Sequence, residues 1–198
     1  MARYSSEHKD STRQSILREA AAELRRSGPD KVSVAALMKK AGLTHGGFYA
    51  HFASKEELIA EAISWMYDDR VQFFSHLLEK SDRAEGLSRY IDAYLSPAHC
   101  RHPESGCPVP ALAGDISRLA ADVQQRYQQG LERMLALFAS AIPDAAGEDK
   151  TALARSAFSE LAGTLLIART MNNAVQAEEW LQSCRTTLKA RLHLTPVH

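Results

Sequence analysis

Long apolar runs are missing from this sequence of 198 residues. No stretch approaches the roughly 20 continuous apolar residues that a membrane helix needs, so no membrane partner is expected. Cysteine is scarce, with three in the chain. The amino-terminal segment MARYSSEHKDST has no apolar run and predicts no secretory signal. Together these features point to a reducing cytoplasm and free thiols. Neither sign of charge is in excess: 24 Lys and Arg balance 24 Asp and Glu, which at first argues against a nucleic-acid partner. Alternating strand patterns are absent, so the expected fold is all-α. There is no G-x-S-x-G, no Gly-rich phosphate loop after a strand and no H-E-x-x-H. Scattered His, Cys and Asp do not make a catalytic constellation, so neither enzymatic activity nor a cofactor is expected. What remains is ordinary for a soluble globular chain, with 45% apolar and 24% charged residues. The length suits one domain or two modest ones.

The charges that are present are unevenly placed. Residues 1–56 hold ten Lys and Arg against six Asp and Glu, and the remainder carries the opposite excess. A basic amino-terminal block on a neutral chain fits a DNA-facing end. Within it, residues 33–57 read SVAALMKKAGLTHGGFYAHFASKEE. Ser33 is a good N-cap, and Val34, Leu37, Met38 and Ala41 repeat at helical spacing. Gly42 stands where a helix end needs a left-handed residue. Thr44 is expected to cap a second, very short helix that begins at His45, anchored by Phe48 and Phe52 four apart on one face. Ser54-Lys55-Glu56-Glu57 is a capping box that starts a third. Helix, Gly-containing turn and short helix make a helix-turn-helix, whose second helix enters the major groove of double-stranded DNA.

The exposed face of that short helix carries Thr44, His45, Gly46, Gly47, Tyr49 and His51. Each internal glycine costs roughly 1 kcal/mol against alanine. Close approach to a groove floor or phosphate strand would offset this cost. Tyr49, His51 and Lys55 are candidates for phosphate contact, as are the helix starts at Ser33, Thr44 and Lys55. His45 and its neighbours Thr44 and Gly46 lie where recognition helices meet base edges. A loose surface turn is the bland alternative.

The run from Thr12 to Leu58 resembles the DNA-binding domain of TetR/AcrR-family transcriptional regulators. The matching residues are Thr12 to Leu17, Ala20, Leu24, Ser33 to Leu37 and Ala41 to Leu58. The resemblance implies an all-α homodimer that represses transcription from a pseudo-palindromic operator until a small-molecule inducer binds. It suggests a DNA-binding domain over residues 1–54 and a ligand-binding and dimerisation domain over 55–198.

Further along, Ile16, Leu17, Ala20, Ala21 and Leu24 form the stripe of a first helix, ended by Gly28-Pro29. A long helix after Ser54 meets no Pro or Gly until Gly86. Residues 96–110 hold four of the seven prolines and read as the main loop of the body. Helical periodicity returns from Ala111 to Leu119 and from Val123 to Phe138, and Pro143 to Gly147 is a break. Two helices follow, one from about Asp149 to Ile167 and one through Trp180 and Leu192. Their Ala and Leu content, with Ala162 and Gly163, suits a dimer face, and the family pairs such helices in a four-helix bundle. An intramolecular core would read the same way.

Trp65, Phe73, Tyr94, Cys107, Tyr127, Met134, Phe138 and Phe158 are candidates for the walls of a ligand pocket in the body. Any one of them could equally be core. Cys107 is the sharpest, because Pro108 suits a first helical position and places the thiol near an N-cap. There the helix dipole would favour a thiolate, aided by His99, Arg101 and His102. Gly106-Cys107-Pro108 is also similar to a branch of the family that senses reactive electrophiles through a cysteine. The expectation is a thiol that modulates DNA release; the alternative is a small buried residue closing a helix start. A zinc site from His99, Cys100, His102 and Cys107 lacks the usual C-x₂₋₄-C pair, so no metal is expected. An architectural DNA-binding protein without a ligand would have a body too well packed to hold a cavity.

Overall fold

The structure is a computed structural model that describes residues 2–146 and 149–194, so Gly147 of the expected break and the last four residues of the expected body lie outside it. Among the described residues there are nine α-helices and no strand. They are α1 (Ala2–Ser27), α2 (Val34–Lys40), α3 (Lys55–Glu79), α4 (Arg83–Tyr94), α5 (Pro97–Arg101), α6 (Pro108–Ile116), α7 (Ala121–Ala141), α8 (Lys150–Ala168) and α9 (Ala174–Arg191). No helix among the described residues is long and apolar enough to cross a membrane.

Capping chemistry sets most boundaries. Ser33 accepts from the Ala36 amide at 3.3 Å, Asp82 from Glu85 at 3.0 Å and Asp149 from Ala152 at 2.9 Å. Ser54 accepts from the Glu57 amide at 3.1 Å, while the Glu57 carboxylate accepts from the Ala53 amide. Gly28, at φ +79°, turns the chain out of α1 and donates to the Leu24 carbonyl at 2.9 Å.

Two readings of the sequence need correction. The long helix ends at Glu79 because Asp82 caps a new one, and Gly86 lies inside α4. That glycine is a packing residue: a Cβ there would fall within 3 Å of the Leu77 carbonyl and Leu78 side chain. Residues 96–110 are not an open loop but α5, a 3₁₀ turn at Pro103–Ser105 and the start of α6. Pro97, Pro103 and Pro108 each open an element, where the missing N–H costs nothing.

Two buried clusters hold the chain together. The first joins Ile16, Leu17 and Leu24 of α1, Leu37 and Met38 of α2, Phe48, Phe52 and the first half of α3 to Leu112 and Tyr127 of α6 and α7. The second joins Phe74 of α3 to Tyr90 and Tyr94 of α4, Met134 and Phe138 of α7, Phe158 of α8 and Leu181 and Leu188 of α9. Helix α3 supplies side chains to both. It packs closely on α7 at Gly130, where a Cβ would collide with the Tyr67 ring. Leu166, Ile167, Val175 and Trp180 remain exposed, all at the end of α8 or on α9.

Candidate nucleic-acid interface and ligand cavity

Helix α2 ends in a Schellman arrangement. Gly42 sits at φ +72°, its amide donates to the Lys39 carbonyl at 3.1 Å, and the Leu43 amide donates to Met38 at 2.8 Å. The chain then enters a short helix, His45–Ala50, that is 3₁₀ rather than α. The Thr44 side chain makes no capping hydrogen bond to it. Phe48 and Phe52 are buried and stack at 5.6 Å, fixing the inner face of the turn.

Its outer face presents Thr44, His45, Gly46 and Tyr49 to solvent, Tyr49 with 66% of its surface exposed. Ser33 is exposed at the start of α2, while Gly47, His51 and Lys55 are half-buried. Both recognition glycines have negative φ. A Cβ on Gly46 would meet nothing, and one on Gly47 would make only ordinary contacts. Nothing inside the chain requires glycine at either position. His51 departs from the expected phosphate donor. Among the described residues its Nδ1 is enclosed without a partner, and burial, then Lys9 and Arg13, hold its pKa below the usual histidine value. Arg13, not singled out from the sequence, organises this corner. It donates to the His51 carbonyl at 3.4 Å, lies 4.8 Å over the Phe52 ring and pairs with Glu61 of α3.

In the body, a cavity of about 260 Å³ opens between α3, α4 and the segment running from α5 to α6. Of the expected wall residues it brings together Phe73, Tyr94 and Cys107. The other five do not line it. Met134, Phe138 and Phe158 are buried in the second cluster, Tyr127 packs edge-on to Tyr67 in the first, and Trp65 lies half-buried against the first. Arg70, Tyr90, Ser96, His99, His102 and Ser105, with Ala93 and Ala98, complete the wall. Helical spacing alone placed the aromatics on inward faces, but did not say which of two inward neighbours meets a void.

Cys107 is the N-cap of α6, as its position before Pro108 suggests. The expected activation is nevertheless absent, because the thiol is 2% exposed and burial pushes its pKa up. The Tyr94 hydroxyl and the Val109 amide pull the other way, but more weakly. His99 is held as one neutral tautomer. Its Nε2 accepts from the Cys107 amide at 3.0 Å, so Nδ1 carries the proton and donates to the Tyr94 carbonyl at 2.7 Å. Burial lowers its pKa to about 4.

Two arginines grip the segment that carries these groups. Arg25 of α1 is 6% exposed and donates to the Glu104 carbonyl at 2.7 Å and the Gly106 carbonyl at 3.2 Å. Burial lowers its pKa to about 10, which leaves it charged at neutral pH. Arg169, at the end of α8, donates to the His99 carbonyl at 2.9 Å and the Cys100 carbonyl at 3.3 Å. One side of the cavity is therefore tied to the first helix of the chain, and the other to the exposed apolar face. Arg25 was not read from the sequence, where Arg25-Arg26 resembles an ordinary basic helix end.

Residues 16–62 match the family model described as bacterial regulatory proteins, tetR family. No curated protein matches the chain. Solved structures share its fold. The reduced form of Escherichia coli NemR is 20% identical with a TM-score of 0.79, the match covering 91% of this chain and 96% of that one. A TetR-family transcriptional regulator from Agrobacterium tumefaciens is 19% identical with a TM-score of 0.77, over 90% and 97%. The Bacillus subtilis regulator FadR, in complex with stearoyl-CoA, is 16% identical with a TM-score of 0.67, over 92% and 98%. The segment that matches the tetR-family model holds the helix-turn-helix, and the helical body shares the fold of these solved regulators.

Proposed function

We propose that this protein is a cytoplasmic repressor that binds a pseudo-palindromic operator as a homodimer and is released by a small molecule acting at the Cys107 cavity. The division into a DNA-binding unit over 1–54 and a ligand-binding and dimerisation unit over 55–198 belongs to this reading. Tyr49 and Lys55 take phosphates, His51 and Ser33 support the same strand, and Thr44, His45, Gly46 and Gly47 lie nearest the bases. The exposed Leu166, Ile167, Val175 and Trp180 would be covered by a second copy, which sets two recognition turns at the half-site spacing of about 34–36 Å.

The observation that carries the reading is Arg25. It links the segment before Cys107 directly to α1, whose Arg13 holds the recognition turn. A compound bound to or bonded with the thiol displaces Glu104 to Gly106, and the displacement passes along α1 to the turn. Only a change that favours one spacing of the two turns alters DNA affinity. The presence of a cavity speaks against a purely architectural role.

The test selects an operator from randomised duplexes and follows its release by fluorescence anisotropy, adding maleimide to wild type, Cys107→Ser and Cys100→Ser. Release is expected from wild type and Cys100→Ser but not from Cys107→Ser. Equal release from Cys107→Ser removes the thiol as trigger, and a monomer with full operator affinity removes the dimer.

A further inference from the structure

Three guanidinium groups surround the cavity, and carboxylates do not balance them. Arg25 is buried and Arg169 half-buried. Both donate to backbone carbonyls, and among the described residues neither meets a carboxylate. Arg70 lines the cavity itself. It holds one Asp69 oxygen with Nε at 2.9 Å and Nη2 at 2.5 Å, while among the described residues its Nη1 donates to nothing. The carboxylates whose charge reaches Arg25 are Asp69 and Glu104, and Glu104 already meets His102 at 3.3 Å. With His99 neutral and Cys107 a thiol, the three guanidinia outnumber their carboxylates.

Two groups in the wall register that excess. Burial lowers the His99 pKa most, the Tyr94 carbonyl opposes it, and Arg169, Arg70 and Arg25 each lower it further. Arg70 and Arg169 also pull the Cys107 thiol down against its burial. Charges in a partly dehydrated recess act more strongly than the same charges in water. The cavity therefore favours an anion.

The rest of the wall decides what carries the charge. Phe73, Tyr90, Ala93 and Ala98 offer apolar surface. Ser96 donates to the Ala93 carbonyl, Ser105 donates to the His102 carbonyl, and both His99 nitrogens are taken. The Tyr94 hydroxyl is engaged with the Cys107 thiol. The spare guanidinium donor is on Arg70, which lies 5.2 Å over the Phe73 ring. A carboxylate held there sets its own body against Phe73 and Tyr90, where an aromatic ring packs well. Size follows from the volume: an apolar cavity of about 150 Å³ holds benzene, so 260 Å³ suits one ring with a small substituent.

We propose that the cavity recognises small aromatic carboxylates without a covalent bond, the carboxylate taking Arg70 in place of Asp69. This rests on the Cys107 cavity being the effector site. The Asp69 side chain is 40% exposed, and so open an ion pair adds little, so exchanging it for a ligand costs little. The released Asp69 carboxylate turns to water, and the ligand carboxylate meets a guanidinium fork that suits its two oxygens.

The experiment titrates the full-length protein with benzoate and with benzamide, its uncharged counterpart of the same shape, by calorimetry at neutral pH. Wild type should bind benzoate at least tenfold more tightly than benzamide. Asp69→Asn removes the competing carboxylate, so it should tighten benzoate at least threefold and leave benzamide unchanged. A misfolded variant cannot mimic that gain. Arg70→Gln should bring benzoate down to the affinity of benzamide. Equal binding of the two probes to wild type would overturn the assignment, as would no binding of either, or an unchanged benzoate affinity in Asp69→Asn. Operator binding separates the two readings. If benzoate binds with the expected dependence on Asp69 and Arg70 but DNA stays bound, the effector role fails and the anion recognition stands. If benzamide releases DNA and benzoate does not, the effector role stands and the carboxylate is dismissed.

Discussion

The recognition turn and the segment before α6 both contain glycine, and they use it in opposite ways. Gly46 faces open space, and a side chain there would touch nothing in the protein. Gly106 is walled in, and a Cβ there would collide with the His99 ring. Nothing inside the chain calls for the first glycine; the second lets a histidine ring and a backbone segment pass close together. The difference separates an open surface from a tightly packed joint inside the molecule.

The largest expected effect tests the joint by pH. His99 has a folded pKa of about 4, below its ordinary value near 6.5. Above pH 6.5 it is neutral folded or unfolded, and its contribution is intact. As pH falls from about 6.5 to 4 only the unfolded chain takes up the proton, so stability is lost through that window, by about 3 kcal/mol in all. Urea unfolding of wild type at pH 7.0 and 4.5 should show the loss, and His99→Gln should flatten it. An unchanged slope in His99→Gln assigns the acid sensitivity elsewhere.

Next comes Gly106→Ala. Moving His99 aside breaks its bond to the Cys107 amide, and overpacking of this kind costs about 1–3 kcal/mol. Thermal melts should fall by several degrees, since about 1 kcal/mol corresponds to roughly 2–4 °C at this size. A melt equal to wild type means the joint is softer than its geometry indicates.

Gly46→Ala is the counterpart at the recognition turn. It should leave the melt unchanged or slightly raised, and weaken operator binding about tenfold, or about 1.4 kcal/mol. Loss of stability with retained DNA affinity would invert the comparison and make Gly46 structural. Smallest is Lys55→Ala, which should weaken all duplexes alike and lower the salt dependence of binding by about one unit. Discrimination among sequences should survive it.

The two regions also differed in how far the sequence revealed them. Ser33, Gly42 and Ser54 act over three or four residues, and each occupies the cap or turn it suggested. Local chemistry suffices there, because the partners are near in sequence. The cavity depends on contacts between distant residues. Arg25 meets Glu104 and Gly106 across about 80 positions, and no local pattern signals such a pair. Cys107 shows the same division: its place at the start of α6 follows from Pro108, whereas its raised pKa follows from walls contributed by other helices. Gly86 misled for the same reason, since its neighbours on α3 are invisible in its own segment.

Helix α3 has 25 residues and so runs about 37 Å, with Leu58 to Tyr67 in one buried cluster and Phe74 in the other. Neither cluster can come apart without stripping a face of that rod. Calorimetry should accordingly record a single heat-absorption peak for the whole chain. Operator DNA bound at the recognition turn should move the entire peak upward by mass action, so the far end of the molecule is protected from heat by a ligand it never meets.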